Sequence, residues 1–183
     1  VLVQCPEGKT QSRRVYSFFW GSPPFILIFR HIYIGQNNYL FRKKMKLTKE
    51  DKKLIEEAKQ IIVKSRPVKL IDTGDVGSAL ITPKGNIFRG VCLGFFCGIG
   101  SCGEYQAIGS MISNGEKEIK IIVAVWYDEK TKKYTIIPPC GKCREMIKQA
   151  SKKNQNTEVI ISGTKKVRLK ELLPNSWGDT LEK

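Results

Sequence analysis

Two short segments of the chain combine residue types that can hold a metal ion and move protons. The first is Ser101-Cys102-Gly103-Glu104, and the second is Pro139-Cys140-Gly141-Lys142-Cys143-Arg144. Zn²⁺ favours thiolate ligands, and a catalytic zinc site takes three protein ligands and leaves the fourth position open. Because Cys102 and the pair Cys140 and Cys143 supply that number, the spacing predicts a catalytic zinc site.

Both segments open a predicted helix, where unpaired backbone N–H groups and the helix dipole stabilise a thiolate. On the first helix Glu104 shares a face with Ile108 and Met111. A carboxyl group on an apolar face is expected to be buried, and burial raises its pKa towards the range that suits acid–base catalysis. Arg144 follows Cys143 directly, and we expect it to donate hydrogen bonds to a thiolate and offset the charge of three sulfurs.

Two other interpretations of the cysteines compete with the catalytic site. The Cys140-x-x-Cys143 pair at a helix start is also typical of a redox dithiol, although that leaves Cys102 and Glu104 unexplained. Alternatively, Cys97 completes a four-cysteine structural zinc site, and the protein is then a binding module without catalysis. Replacement of Cys97 by serine distinguishes the two zinc sites, because only the structural one needs this residue.

The elements that must position these residues follow from hydrophobic periodicity and turn signals. A helix begins near Thr48 and Asp51, which resemble a capping box, and the β-branched run 119–126 predicts a strand buried on both faces. The other predicted elements are strands at 78–82, 87–93, 134–137 and 158–161 and helices at 103–113, 140–151 and 167–173. This order predicts a layered α/β domain with helices covering a mixed sheet.

The composition is that of a globular protein with a strongly basic charge. The 183 residues are 41% hydrophobic, and 32 basic against 17 acidic residues give a formal net charge of +15. Such a charge suggests nucleic acid as a partner, but the lysines are spread over the chain. No groove that combines aromatic and basic residues for a single strand can be picked out, so nucleic acid is not the expected partner.

The first 44 residues differ from the rest, because no helical or alternating period persists in them. Pro23, Pro24, Arg30 and His31 interrupt the apolar run, which argues against a membrane span. We expect the natural start at Met45, an appended extension at 1–44 and one domain at 45–183. His31, the single histidine, is not an expected ligand.

Several stretches resemble the zinc-dependent cytidine deaminases and blasticidin-S deaminase. The Cys102-Gly103-Glu104 segment with Pro139-Cys140-Gly141-Lys142-Cys143-Arg144 is similar to their signature. The stretch Val76-Gly77-Ser78-Ala79-Leu80 with Gly85 looks like their opening hairpin, and Glu171-Leu172-Leu173-Pro174 with Trp177 is similar to their C-terminal segment. The resemblance covers roughly residues 47–177.

The resemblance implies a fold, a reaction and an assembly. The implied fold is a three-layer α/β/α sandwich with a mixed five-stranded sheet, and the implied cofactor is one zinc per chain. The implied reaction is hydrolytic release of ammonia from a cytosine-type ring, with Glu104 passing the protons. A cytoplasmic homotetramer acting in pyrimidine salvage is expected. The residues expected to contact substrate are Ser78, Phe96, Ser101 and Trp177, the last of these in a neighbouring subunit.

One departure from the family bears on the substrate. Typical cytidine deaminases carry an Asn-x-Glu that binds the ribose hydroxyls, whereas Cys92-Leu93-Gly94 stands here. A site that recognises a hydroxyl group needs its polar partner in place. Cytidine or deoxycytidine remains the leading expectation. Another cytosine-bearing small molecule such as blasticidin S, whose carboxylate has a loose basic counterpart in Lys133, is the alternative.

Overall fold

The computed structural model of the protein describes residues 45–64 and 74–180. These residues form a layered α/β domain. The helices are α1 (Lys49–Lys64), α2 (Gly103–Ser113), α3 (Gly141–Ala150) and α4 (Leu169–Leu172). The strands are β1 (Val76–Ile81), β2 (Ile87–Val91), β3 (Leu93–Gly94), β4 (Gly100–Ser101), β5 (Ile121–Asp128), β6 (Lys133–Ile137), β7 (Glu158–Ser162) and β8 (Lys165–Arg168).

Six of these strands form one mixed sheet in the order β2-β1-β5-β7-β8, with β6 pairing beside β5. Strand β1 lies antiparallel to both β2 and β5, whereas β7 runs parallel to β5. One edge of β5 is shared, because its first residues pair with β7 and its last with β6. The remaining strands, β3 and β4, form a separate two-stranded hairpin just before α2.

Helices cover both faces of the sheet, because the apolar side chains of each central strand alternate between two cores. Helix α1 packs against the face that carries Ala79, Val123 and Ile160. Helices α2 and α3 pack against the opposite face, which carries Leu80 and Ile122. The predicted three-layer α/β sandwich is therefore confirmed. The strand predicted at 119–126 is β5, which instead begins at Ile121, is buried on both faces over 121–125 and has Trp126 exposed.

The first described helix begins where the sequence predicts it. The backbone N–H of Thr48 donates to Oδ2 of Asp51 at 2.6 Å, and the N–H of Asp51 donates to Oγ1 of Thr48 at 3.2 Å. This reciprocal pair is a capping box with aspartate in place of glutamate. The same carboxylate also pairs with Lys166 of β8 at 2.9 Å, which ties the helix start to the edge of the sheet.

The sheet has six strands, one more than predicted. The segment predicted as one helix from Val167 instead begins as strand β8, and helix α4 starts only at Leu169. Residues 165–168 form a strand because β7 offers a free edge, against which Val167 pairs with Val159 and Lys166 pairs with Ile160. These hydrogen bonds come from the partner strand β7, and the strand propensity of residues 165–168 alone does not predict that pairing.

Residues 1–44, predicted to be an appended extension, lie outside the described residues. Within 45–64 and 74–180, no helix has the length and apolar character that a membrane crossing requires.

Candidate metal centre and active site

Three cysteines from two helix starts converge on one point. The Sγ atoms of Cys102 and Cys140 lie 3.9 Å apart, and those of Cys140 and Cys143 lie 3.5 Å apart. All three Sγ atoms fall within 4.8 Å of one another. The structure thus brings together the three sequence-predicted ligands.

The local backbone leaves these sulfurs free to act as ligands. Cys102 is the N-cap residue of α2 and Cys140 is the N-cap residue of α3, both in extended conformation, and neither side chain bonds to its own helix start. Cys143 lies one turn into α3 and is fully buried. Two helix starts therefore bring unpaired N–H groups and thiols to the same region.

The donor set fits a zinc ion. With Zn–S bonds of about 2.3 Å, tetrahedral geometry separates two sulfurs by about 3.8 Å, close to the measured distances of 3.5 and 3.9 Å. Three thiolates leave a fourth position open, as catalytic zinc sites require. Cys97, the fourth ligand of the alternative structural site, is exposed and lies outside the group.

The thiols differ in their tendency to ionise. Burial raises the pKa of Cys143, and the nearby Glu104 carboxylate raises it further. Burial also raises the pKa of Cys102. Partial burial opposes ionisation of Cys140 too, but the backbone N–H of Cys143 and the contacts with the two neighbouring thiols outweigh it and lower the pKa. A divalent cation at this point would favour the thiolate form of all three.

Glu104 lies beside this cluster as a buried acid. Its side chain is only 4% exposed, and burial raises the pKa of its carboxyl group. Its own backbone N–H and the thiol of Cys143 donate hydrogen bonds that partly oppose the rise. A carboxyl group in this environment holds its proton to a higher pH than an exposed one and can release it to a nearby acceptor.

Close packing against the sheet fixes the start of α2. A Cβ added at Gly90 of β2 would lie 2.3 Å from the Gly103 carbonyl oxygen and 2.3 Å from the Ala107 nitrogen. Gly103 also lies close to the strands, because a Cβ added there would lie 3.1 Å from the Val76 carbonyl oxygen. Glycine at both positions allows the helix that carries Cys102 and Glu104 to approach the sheet.

Arg144 has backbone partners. Its Nε donates to the Pro139 carbonyl at 2.8 Å, and an NH1 donates to the Leu172 carbonyl at 3.0 Å. These bonds tie the turn that carries Cys140 to the end of α4. The structure therefore gives Arg144 a positioning role, while the compensation of thiolate charge stays a prediction.

The predicted substrate contacts lie in different environments. The buried Ser78 donates its hydroxyl to the Val123 carbonyl at 2.8 Å, so this donor is already used within the sheet. The hydroxyl of Ser101 accepts from Gln106 at 2.6 Å. Trp177 is 65% exposed. Phe96 belongs to a short 3₁₀ turn, and its side chain lies outside the described part of the structure.

One cluster near α3 was not predicted from the sequence. The Glu145 carboxylate accepts hydrogen bonds from the Ser176 hydroxyl at 2.6 Å and from the Gly178 backbone at 2.9 Å. Lys148 adds an ion pair with Asp179 at 2.9 Å. These contacts hold the C-terminal segment that presents Trp177, and they join residues about 30 positions apart that no local pattern connects.

Known proteins resemble this chain in sequence and in fold. Blasticidin-S deaminase of Bacillus cereus is 41% identical over 76 residues, which are 39% of this chain and 54% of that protein. The chain thus matches about half the length of this curated relative. No protein-family model matches the sequence.

Solved structures of cytidine deaminases share the fold. That of Bacillus anthracis has a TM-score of 0.59 and 21% identity, and the match covers 71% of this chain and 91% of that one. That of Burkholderia pseudomallei has a TM-score of 0.54 and 26% identity, and the match covers 72% of this chain and 100% of that one.

The fold and the site thus define a cytidine-deaminase-like α/β domain with a three-cysteine group that is able to hold a metal. The two kinds of likeness confirm the predicted resemblance to the cytidine deaminase and blasticidin-S deaminase family.

Proposed function

We propose that the protein is a zinc-dependent hydrolytic deaminase that converts the amine of a cytosine-type ring into a carbonyl and releases ammonia. The observation that carries this proposal is the buried Glu104 carboxyl group beside three converging cysteines. A structural zinc site does not require a buried acid, and burying a carboxyl group costs free energy, so a catalytic role explains Glu104 better. The cytidine deaminase fold and the similarity to blasticidin-S deaminase support the same reaction.

In this proposal Cys102, Cys140 and Cys143 hold one zinc per chain. When bound, the zinc would polarise a water molecule for attack on the ring carbon that carries the amine. The remaining catalytic work belongs to Glu104. Its carboxylate accepts a proton from the attacking water and delivers it to the ring nitrogen. It then takes the remaining proton from the new hydroxyl group and passes it to the departing amine, so that the carbonyl forms as ammonia leaves.

The burial of Glu104 suits this double role. A carboxyl group with a raised pKa is a stronger base than an exposed one, and it still returns its proton readily. The backbone N–H of Glu104 donates to the same carboxyl group and helps to orient it. Arg144 holds the turn of Cys140 through the Pro139 carbonyl.

We propose cytidine or deoxycytidine as the substrate, which gives uridine or deoxyuridine. The structural likeness to cytidine deaminases supports this choice. The stretch 92–94 lacks the ribose-binding pair, and the Cys92 sulfur instead accepts a hydrogen bond from the Val76 backbone at 3.3 Å. Sugar recognition must therefore come from other residues, for which Ser78, Phe96, Ser101 and Trp177 remain the candidates.

A different cytosine-bearing molecule, such as blasticidin S, is the second candidate substrate. Its support is the 41% identity to blasticidin-S deaminase over 76 residues. Lys133, the loose counterpart of a carboxylate-binding residue, lies exposed at the start of β6.

The proposal includes an assembly and a setting. We propose a homotetramer in which Trp177 reaches a neighbouring subunit, and the exposed side chains of Tyr105, Ile112 and Trp177 supply apolar surface for it. A cytoplasmic setting suits the site, because three reduced cysteines are needed to bind the metal, and pyrimidine salvage is the corresponding role.

The test is ammonia release by the zinc-loaded full chain with cytidine, deoxycytidine, cytosine and blasticidin S. Glu104→Gln is the control, because it keeps the shape of the side chain and removes its proton transfer. We expect turnover with one of these substrates and a loss of about 10²-fold or more in kcat for the variant. A zinc-loaded protein that turns over none of the four, or a fully active Glu104→Gln variant, would overturn the proposal.

A further inference from the structure

A groove lies on the face of the sheet that α1 covers, away from the cysteines. It has a volume of about 460 Å³ and runs between α1, β6 and the turn at Gly163. Its lining combines an apolar floor, an aromatic side chain and charged residues of α1. The apolar residues are Ile55, Val125 and Ile136, the aromatic one is Tyr134, and the charged ones are Lys52, Lys53, Lys59 and the acidic Glu56.

The acidic residues of α1 neutralise only one of the three lysines of this groove, because Glu56 pairs with Lys59. The helix sequence KEDKKLIEEAKQIIVK contains four acidic residues, and each is paired with a cation. The pairs are Glu50–Lys120, Asp51–Lys166, Glu56–Lys59 and Glu57–Arg89. Lys52 and Lys53 form no ion pair with any residue in 45–64 or 74–180, so their charges are available to an anionic ligand.

The aromatic wall is accessible. Tyr134 is 38% exposed, and the ring of Tyr127 supports it with the two centroids 4.8 Å apart. The ammonium group of Lys59 lies 5.5 Å from the centre of the Tyr134 ring. A flat aromatic group in the groove would therefore meet a ring and several cations together, as a base and its phosphate do in single-strand binding sites.

A second groove lies on the other side of α1, between the helix and the β1–β2 hairpin. It has a volume of about 300 Å³, and its lining includes Lys49, Lys53, Leu54 and Ile87. Because Lys53 lines both grooves, they adjoin each other across the first half of α1. A ligand that occupies this track of two grooves must pass Lys53, and this arrangement favours an extended polyanion over a single small anion.

The track is separate from the candidate active site. Helix α1 packs on one face of the sheet, whereas the cysteines begin the helices that pack on the other. A ligand held at Tyr134 is therefore on the wrong side of the sheet to reach Glu104, so this surface binds a partner and does not hold the substrate.

We propose that the lysine–tyrosine track on α1 and β6 binds single-stranded nucleic acid. Phosphates contact Lys49, Lys52 and Lys53, and a base stacks against Tyr134 above the apolar floor. The net charge of +15 supports the first encounter with such a polyanion. The inference is independent of the proposed deaminase activity, because the track and the cysteines use different residues.

The test is fluorescence polarisation of a labelled oligothymidine of about 12 nucleotides, titrated with the full chain at several salt concentrations. Lys52→Gln/Lys53→Gln is expected to weaken binding about tenfold. It should also reduce the slope of log K against log salt by about 1.4, since each phosphate contact on a single strand contributes about 0.7. The same variant should keep its deaminase activity.

The control for charge is Lys117→Gln/Lys170→Gln, which removes the same charge on the turn after α2 and on α4. It is expected to bind nearly as tightly as the unchanged protein. Stacking is tested with Tyr134→Leu, which should weaken binding about fivefold or more without changing the salt slope. Tyr134→Phe keeps the ring and should restore the affinity.

Three results would overturn the proposal. In the first, the charge control loses as much affinity as the groove variant, and binding then depends on overall charge alone. In the second, Tyr134→Leu binds as tightly as Tyr134→Phe. In the third, thymidine monophosphate or a duplex of equal length competes as well as the unlabelled single strand.

Discussion

Cys102 and Cys140 bring their sulfur atoms to 3.9 Å from each other although 38 positions separate them in the chain. Each stands at the start of a helix on the same face of the sheet, and Cys143 follows one turn later. Two helix starts thus form one group of thiols that is able to hold a cation. The proposed site depends on this convergence, so it can be tested one cysteine at a time.

Replacement of Cys143 by serine is expected to abolish stoichiometric zinc binding, because a buried hydroxyl is a poor zinc ligand and Cys143 supplies one of three thiolates. The measurement is zinc per chain by elemental mass spectrometry after purification. Cys97→Ser is the matched control and should retain one zinc, since Cys97 lies outside the cluster. Zinc loss in the control would instead support a four-cysteine structural site.

Replacement of Gly90 by alanine is expected to destabilise the protein by about 1–3 kcal/mol, because the new methyl group meets the backbone of α2 and forces the helix outwards. The added Cβ would lie 2.3 Å from the Gly103 carbonyl oxygen. Urea unfolding measures the change, and zinc affinity should fall in parallel because α2 carries Cys102.

The matched control for this substitution is Gly109→Ala, in helix α2. A Cβ there meets nothing within 4 Å, so alanine should stabilise the helix by about 0.5–1 kcal/mol. Equal stability of the two alanine variants would contradict the close packing of β2 against α2.

Replacement of Arg144 by lysine is expected to lower zinc affinity and the midpoint of thermal unfolding. Lysine keeps the charge but cannot hold the carbonyls of Pro139 and Leu172 at once, as the guanidinium does. The measurement is zinc retention against a competing chelator. A lysine variant that retains zinc as well as arginine, while glutamine does not, would point to charge compensation instead.

Glu145 is expected to contribute stability that depends on pH. The Ser176 hydroxyl, the Gln149 amide and the Gly178 N–H lower the pKa of this carboxyl group from 4.5 to about 2. Because the folded pKa is the lower one, the contribution is present above about 4.5 and is lost as the pH falls towards 2. Glu145→Gln should therefore destabilise the protein near neutral pH and have less effect in acid.

Urea unfolding between about pH 7 and about pH 3 measures this difference. Ser176→Ala is the companion variant, and its effect should shrink in the Glu145→Gln background because the two side chains share a hydrogen bond. If the free energy of unfolding differs between the unchanged protein and the Glu145→Gln variant by the same amount at every pH, the carboxylate charge does not hold this segment.

Much of the local structure follows from the amino-acid sequence alone, because the responsible signals are short in range. The Thr48–Asp51 pair marked the start of α1, and the turn at 83–86 between two apolar runs marked the β1–β2 hairpin. The β-branched run at 121–125 marked the central strand. Two cysteine segments at helix starts, with the deaminase resemblance, were enough to predict which three cysteines converge and that Glu104 is buried.

Features that depend on a distant partner emerge only in the folded chain. Strand β8 forms because it pairs with the edge of β7. Arg144 donates a hydrogen bond to the Leu172 carbonyl, which is 28 positions away in the chain. The groove joined Lys53 of α1 to Tyr134 of β6, so the aromatic and basic residues that are scattered in the sequence came to lie on one surface. Local propensity and periodicity carry no information about such pairings, because the energy that selects them comes from packing between elements.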